Sequence, residues 1–168
     1  MSVSDLRRLG AEPSGTPGVY HMQTAPEPHN RFDLYTLVAG PRSGLCSVRA
    51  GGVTLDVNDF GEQLIEEFQR IREAVASKYG RAQTYDYVRD GSLWDAPRHW
   101  MMGLEREDRT LATYWLPKEG ASLPANLQAI SLRARALNVR RGYVALTYEF
   151  SNFDQCKAEI DAAASNPF

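Results

Sequence analysis

From Asn58 to Gly80, apolar residues recur every three or four positions. Phe60, Leu64, Phe68, Ile71 and Val75 form one stripe, with Glu66, Glu67, Arg70 and Glu73 assigned to the opposite, solvent-facing side. That spacing predicts an amphipathic helix with a buried stripe. Asn58 or Asp59 is the expected N-cap, with Glu62 three residues after Asp59 as in a capping box. Gly80 is the expected stop, because glycine takes the left-handed position after a helix at no steric cost.

Elsewhere the pattern changes to alternation. Residues 31–40 place Phe32, Leu34, Thr36 and Val38 on one side and Asp33 and Tyr35 on the other. Residues 127–137 place Ile130, Leu132, Ala134 and Ala136 on one side and Ser131, Arg133 and Arg135 on the other. Residues 143–150 repeat the pattern with Val144, Leu146, Tyr148 and Phe150. A period of two predicts half-buried strands. Further strands are predicted at 45–55, interrupted at Gly51 and Gly52, and at 110–117, ended by Pro117; a short one is predicted at 18–24. Pro26 and Pro28 force a turn or extended loop after it. Residues 81–92 are mixed and predict a strand-like linker. Short helices are expected within 96–104 and 152–165.

Short connections between strands imply an antiparallel sheet. The expected fold is therefore α+β in two layers. Five or six antiparallel strands carry the long helix on one face, with two short helices added. The other face would present Ser131, Arg133, Arg135, Ala145, Thr147 and Glu149. Residues 1–17, rich in glycine, proline and polar residues, predict a flexible arm before a single domain spanning 18–168.

Composition narrows the function classes. The 168 residues are 43% hydrophobic and 24% charged, which is ordinary for one globular domain. The net charge of −2 lacks the strong basic bias of a typical nucleic-acid domain. No run approaches the ~18 apolar residues of a membrane span. The first residues show no signal-peptide pattern, so a cytoplasmic protein that does not engage a membrane is expected. The two cysteines, Cys46 and Cys156, are expected as free, buried thiols on that basis.

The search for chemistry is largely negative. His21, His29 and His99 form no metal-binding spacing, and His21 and His29 predict two exposed loop residues. There is no nucleophile elbow, and the glycines at 39–44 lack the lysine and hydroxyl of a phosphate loop. No cofactor and no metal are expected. The densest stretch is "GSLWDAPRHWMMGL" at 91–104. Tryptophan and methionine at helical spacing point first to core, in a short helix that plugs one end of the sheet. They also suit an interface, where tryptophan and arginine dominate binding energy.

The leading expectation is a non-enzymatic domain that occludes a protein partner, of immunity-protein, inhibitor or chaperone type, acting as a monomer or small homo-oligomer. Its partner-binding residues would be Trp94, Arg98, His99, Trp100, Arg133, Arg135, Arg140 and Arg141, with 105–109 as an acidic rim. Two alternatives stand beside it. One is an enzyme with a site near His99, Tyr85 and Asp86. The other is an RNA-binding module using Arg133, Arg135, Arg140 and Arg141 beside Tyr143.

Overall fold

The computed structural model describes residues 1–27 and 29–165. Pro28, part of the predicted loop, and residues 166–168 of the predicted domain lie outside them. The elements in chain order are α1 (Val3–Arg8), β1 (Glu12–Pro13), β2 (Val19–Met22), β3 (Phe32–Gly40), β4 (Gly44–Gly52), β5 (Leu55–Asp56) and α2 (Glu62–Tyr79). They continue with β6 (Gln83–Val88), α3 (Trp100–Glu105), β7 (Arg109–Trp115), β8 (Leu127–Asn138), β9 (Arg141–Phe150) and α4 (Phe153–Ser165). The fold is α+β, with one antiparallel sheet in the order β1-β2-β3-β4-β9-β8-β7-β6 and β5 paired to β9.

The sheet has nine strands rather than five or six. The additional strands are short or lie where the sequence does not alternate strongly. Strands β1 and β5 have two residues each, and β6 falls in the stretch read as a linker. Such segments are held by ladder hydrogen bonds to a neighbour, which pattern alone does not reveal.

One face of the sheet carries the core. Tyr35 stands opposite Ala50, Ala50 opposite Leu146, and Leu146 opposite Leu132. Against this face α2 buries Leu64, Phe68, Ile71, Val75 and Tyr79, beside Trp115, Ile130 and Val144. Phe60 is exposed instead of joining the stripe, because it precedes the helix. Asn58 still serves the helix start, accepting from the Glu62 backbone N–H at 3.2 Å. The N-cap position itself is Gly61, with φ of +66°. A Cβ there would sit 2.1 Å from Trp100 Cε3, so both backbone and packing demand glycine. Gly80 ends α2 as expected, its N–H donating to the Ala76 carbonyl at 2.8 Å.

Three other expectations are corrected. On β3 the core residues are Tyr35, Leu37 and Ala39, while Leu34 is exposed; register shifts near both ends of the strand select that face. Glu67 is buried rather than solvent-facing, and accepts from Arg31 Nη1 at 2.7 Å and from Arg70 Nη1 at 3.1 Å. Residues 1–17 contain packed structure rather than a loose arm. A Ser2–Asp5 capping box starts α1, an Asp5–Arg8 ion pair follows, and Leu6 is 1% exposed in a second core with Met22, Tyr35 and Leu37. Hydrogen bonds from Ser2, and then the nearby Arg8, hold the Asp5 carboxyl below its ordinary range.

The cysteines are also corrected: Cys46 and Cys156 are bonded to each other, both fully buried. A bulge in β4 leaves Cys46 out of the β3–β4 register and turns it towards α4. Glu159 completes this seam. It accepts from the backbone N–H groups of Arg42 and Ser43 and from the Ser43 hydroxyl, at 3.0–3.1 Å. Asn152 Nδ2 donates to the Ser43 and Leu45 carbonyls at 2.9 and 3.2 Å.

Two outcomes follow from the α4 seam. The disulfide closes 110 residues of chain. Cys46→Ser should therefore lower unfolding free energy by roughly 4 kcal/mol in urea titrations, and reductant should do the same to the parent. Glu159 is held below the ordinary carboxylate range chiefly by the Ser43 backbone N–H, helped by Arg42, the Ser43 hydroxyl and Gln155. A depressed folded-state pKa stabilises fully above the ordinary value, and that stability fades as pH falls through the folded value. Glu159→Gln should thus destabilise at pH 7, with its deficit against the parent shrinking in acid; a pH-independent deficit would exclude this linkage.

Candidate functional site

The stretch 91–104 is mainly a wedge. Trp100, Met101 and Leu104 are buried in the main core, with Met101 and Leu104 on α3 facing the sheet. Trp100 lies between Gly61 and the Arg109 guanidinium, whose carbon is 5.7 Å from the ring centroid. The loop before α3 is clasped by the buried Asp108, which accepts from Ser92 Oγ at 2.6 Å and pairs with Arg89 at 2.7 Å. Trp94 is half-buried and meets His99 edge-on at 5.4 Å; His99 Nδ1 is buried and has no partner. Arg98 is exposed.

The wedge parts two strands. Strands β7 and β8 pair from Trp115 opposite Ile130 up to Ala112 opposite Arg133. Continuing that register would pair Leu111 with Ala134, Thr110 with Arg135 and Arg109 with Ala136. None of these pairs forms, and the residues instead line a cleft of about 380 Å³ together with Leu104, Glu105 and Glu107 of the α3 end.

Helix α3 stops at this cleft in a Schellman motif. The Glu107 N–H donates to the Leu104 carbonyl at 3.2 Å and the Asp108 N–H to the Gly103 carbonyl at 2.9 Å. The left-handed position of that motif is usually glycine, yet here it is Glu107, at φ +61°, the one non-glycine with positive φ among the described residues.

The second feature is the sheet face away from the core. Its residues follow cross-strand rows fixed by register. One row runs Glu12, His21, Thr36, Arg49, Thr147, Ser131, Tyr114 and Gln83. The next runs Leu34, Gly51, Ala145, Arg133, Ala112 and Tyr85, with Tyr143 opposite Arg135 beside it. Tyr85 packs on Tyr114 at 5.8 Å. A shallow groove of about 270 Å³ lies over Gly51, walled by Asp33, Leu34, Arg49, Leu137 and Tyr143.

The eight expected binding residues do not form one patch. Trp100 is core, and Trp94, Arg98 and His99 belong to the loop before α3. Arg133 and Arg135 lie on the open face. Arg140 and Arg141 sit at the β8–β9 turn, where the Arg140 N–H donates to Asn138 Oδ1 at 2.8 Å and Arg141 stands 4.0 Å from Asp56. The trio of the enzyme alternative is split as well. Tyr85 points to the open face, whereas the adjacent Asp86 lies on the core side, 3.9 Å from Arg109. Among the described residues no group of His, Cys, Asp or Glu is arranged to hold a metal, and no helix is long and apolar enough to cross a membrane.

Arg49, Arg109 and Glu107 were not singled out from sequence. Arg109 reads as the end of a charged turn, and nothing local signals that the strands beside it separate.

No protein-family model matches the chain, and no curated protein or solved structure matches it either.

The two tryptophans should respond differently to truncation. Trp100→Ala should cost about 3–5 kcal/mol in chemical denaturation, while the half-buried Trp94→Ala should cost clearly less. Glu107→Gly should stabilise by about 1 kcal/mol, because it relieves the left-handed strain.

Proposed function

We propose that this chain is a non-enzymatic domain that binds a protein partner and blocks it, docking an acidic surface of that partner on the open sheet face. One observation carries the reading: the cross-strand rows gather Tyr85, Tyr114, Tyr143, Arg49, Arg133 and Arg135 on a face that α2 and α3 leave uncovered. Tyrosine and arginine are the residue types enriched in interfaces. Charge sets the occupant. The chain as a whole carries −2, yet the middle of this face, on β4 and β8, holds Arg49 and Arg133 with Arg135 beside them, while its acids stand towards the margins: Glu12 on the edge strand β1, Asp33 near the start of β3 and Glu149 near the end of β9. An acidic partner is steered to such a face and like-charged surfaces are rejected. The bare Gly51 floor of the groove leaves room for one apolar side chain between Leu34, Leu137 and Tyr143.

The immunity-protein, inhibitor and chaperone roles all share this mode of action, and a cytoplasmic setting belongs to the same proposal. The buried Cys46–Cys156 bond weighs against that setting, since such bonds persist mainly in oxidising compartments.

The test is affinity capture from source-organism lysate with the parent, Arg133→Glu, Tyr85→Ala and Arg98→Glu, each verified as folded. The reading expects one stoichiometric acidic protein, lost with Arg133→Glu and weakened with Tyr85→Ala, but retained by Arg98→Glu on the separate loop. Nucleic acid released by moderate salt would overturn it in favour of the RNA-binding alternative through Arg133, Arg135, Arg140 and Arg141. A partner that ignores the face variants, or no partner at all, also overturns it.

A further inference from the structure

We propose that the cleft between the parted ends of β7 and β8 is an oxyanion-binding site, built to hold a carboxylate or phosphate group. The inference goes beyond the docking face and does not depend on a protein partner.

Four observations converge on this cleft. First, three arginines line it from both sides of the sheet: Arg109 from the core side, and Arg133 and Arg135 from the open face. Second, Arg109 is anchored but unsatisfied. Its side chain is 13% exposed and lies over the Trp100 ring, its Nε is buried without a partner, and its nearest acid is Asp86 at 3.9 Å. A guanidinium held in place is preorganised for a planar oxyanion, because less rotamer freedom is lost on binding. Third, neither Arg133 nor Arg135 makes an ion pair or side-chain hydrogen bond among the described residues, so the charge brought to the cleft is not already neutralised. Fourth, three successive ladder pairs are missing, which leaves main-chain groups of 109–111 and 134–136 facing a space of about 380 Å³. That volume suits a small ligand. Thr110 lines the same wall.

The glutamates at the rim set the selectivity. Glu105 lies 3.9 Å from Arg106, which offsets its charge. Glu107 keeps a left-handed backbone where glycine is easier. With three arginines against two glutamates the cleft is mildly cationic, so a single oxyanion group fits better than a highly charged polyphosphate. The oxyanion has two sources: a free small anion, or the acidic side chain of a bound protein segment.

The experiment uses the purified full chain and needs no partner. Inorganic phosphate, citrate and a short glutamate-containing peptide are titrated at constant ionic strength. Binding is read by calorimetry and by NMR of the arginine Nε–H resonances. Saturable binding of at least one probe, shifting the Arg109 Nε–H signal, is expected. Arg135→Ala should weaken it roughly tenfold, the loss of one charge-assisted contact. Arg109→Lys, which keeps the charge but loses the fork, should weaken it too; if that variant unfolds, Arg133→Ala replaces it. Arg98→Ala, outside the cleft, should change nothing. Saturation by phosphate or citrate identifies a free anion as the source. Saturation by the peptide alone, with the same arginine dependence, identifies an acidic side chain. No saturable binding by any probe, or binding indifferent to the cleft variants, overturns the proposal. Because the docking face is tested by capture of a partner, either idea can fail while the other stands.

Discussion

The rest of the structure depends on burying one face of the β8–β9 hairpin. Ile130, Leu132 and Ala134 on one strand face Tyr148, Leu146 and Val144 on the other, and α2 lies across them with Leu64, Phe68, Ile71 and Val75. Each large aliphatic or aromatic side chain removed from water here contributes about 1.5–3 kcal/mol. A slip of one residue in this hairpin would turn Arg133 and Arg135 inward and expose the leucines, so the register is strongly specified. Once it is fixed, β4 and β7 have one available register each, and the neighbouring strands follow.

That same burial explains the cleft. Helix α3 has to bury Met101 and Leu104, and space for them exists under the ends of β7 and β8. Filling the core there takes precedence over three ladder pairs, because exposed backbone groups at a cleft mouth can bond water whereas buried voids have no substitute partner. The aromatic-rich stretch is thus a shaping element. Its helix borders the cleft that Arg109, Arg133 and Arg135 line.

The opposite end of the sheet is secured by different means. Helix α4 belongs to neither apolar core and is fastened to the β3–β4 turn by the disulfide, Glu159 and Asn152. The β3–β4 end is accordingly held by a covalent bond and buried polar contacts in addition to the second apolar core of α1 and β2–β4. The open side of the sheet is a wide face of mixed tyrosine, threonine and arginine. This is the face proposed above to dock a partner.

The sequence by itself determined the elements whose periodicity is strong and whose partners are local. The α2 stripe, its Gly80 stop, the β8–β9 hairpin and the assignment of Arg133 and Arg135 to the outer face were all legible, because period and polarity are properties of consecutive residues. Tertiary structure decided the rest. Strands β1, β5 and β6 exist through ladder pairing with β2, β9 and β7, which their own residues do not announce, and Leu6 is buried through a second core assembled from α1 and β2–β4. Glu67 is buried because Arg31, 36 residues away, reaches it. Cys46 finds Cys156 because a bulge turns it towards α4, a proximity no spacing rule encodes. The cleft arises in the same way: Arg109, Thr110 and Arg135 line one cleft because α3 packs where a ladder would otherwise run, and that competition between packing and pairing is settled only when the whole core is assembled.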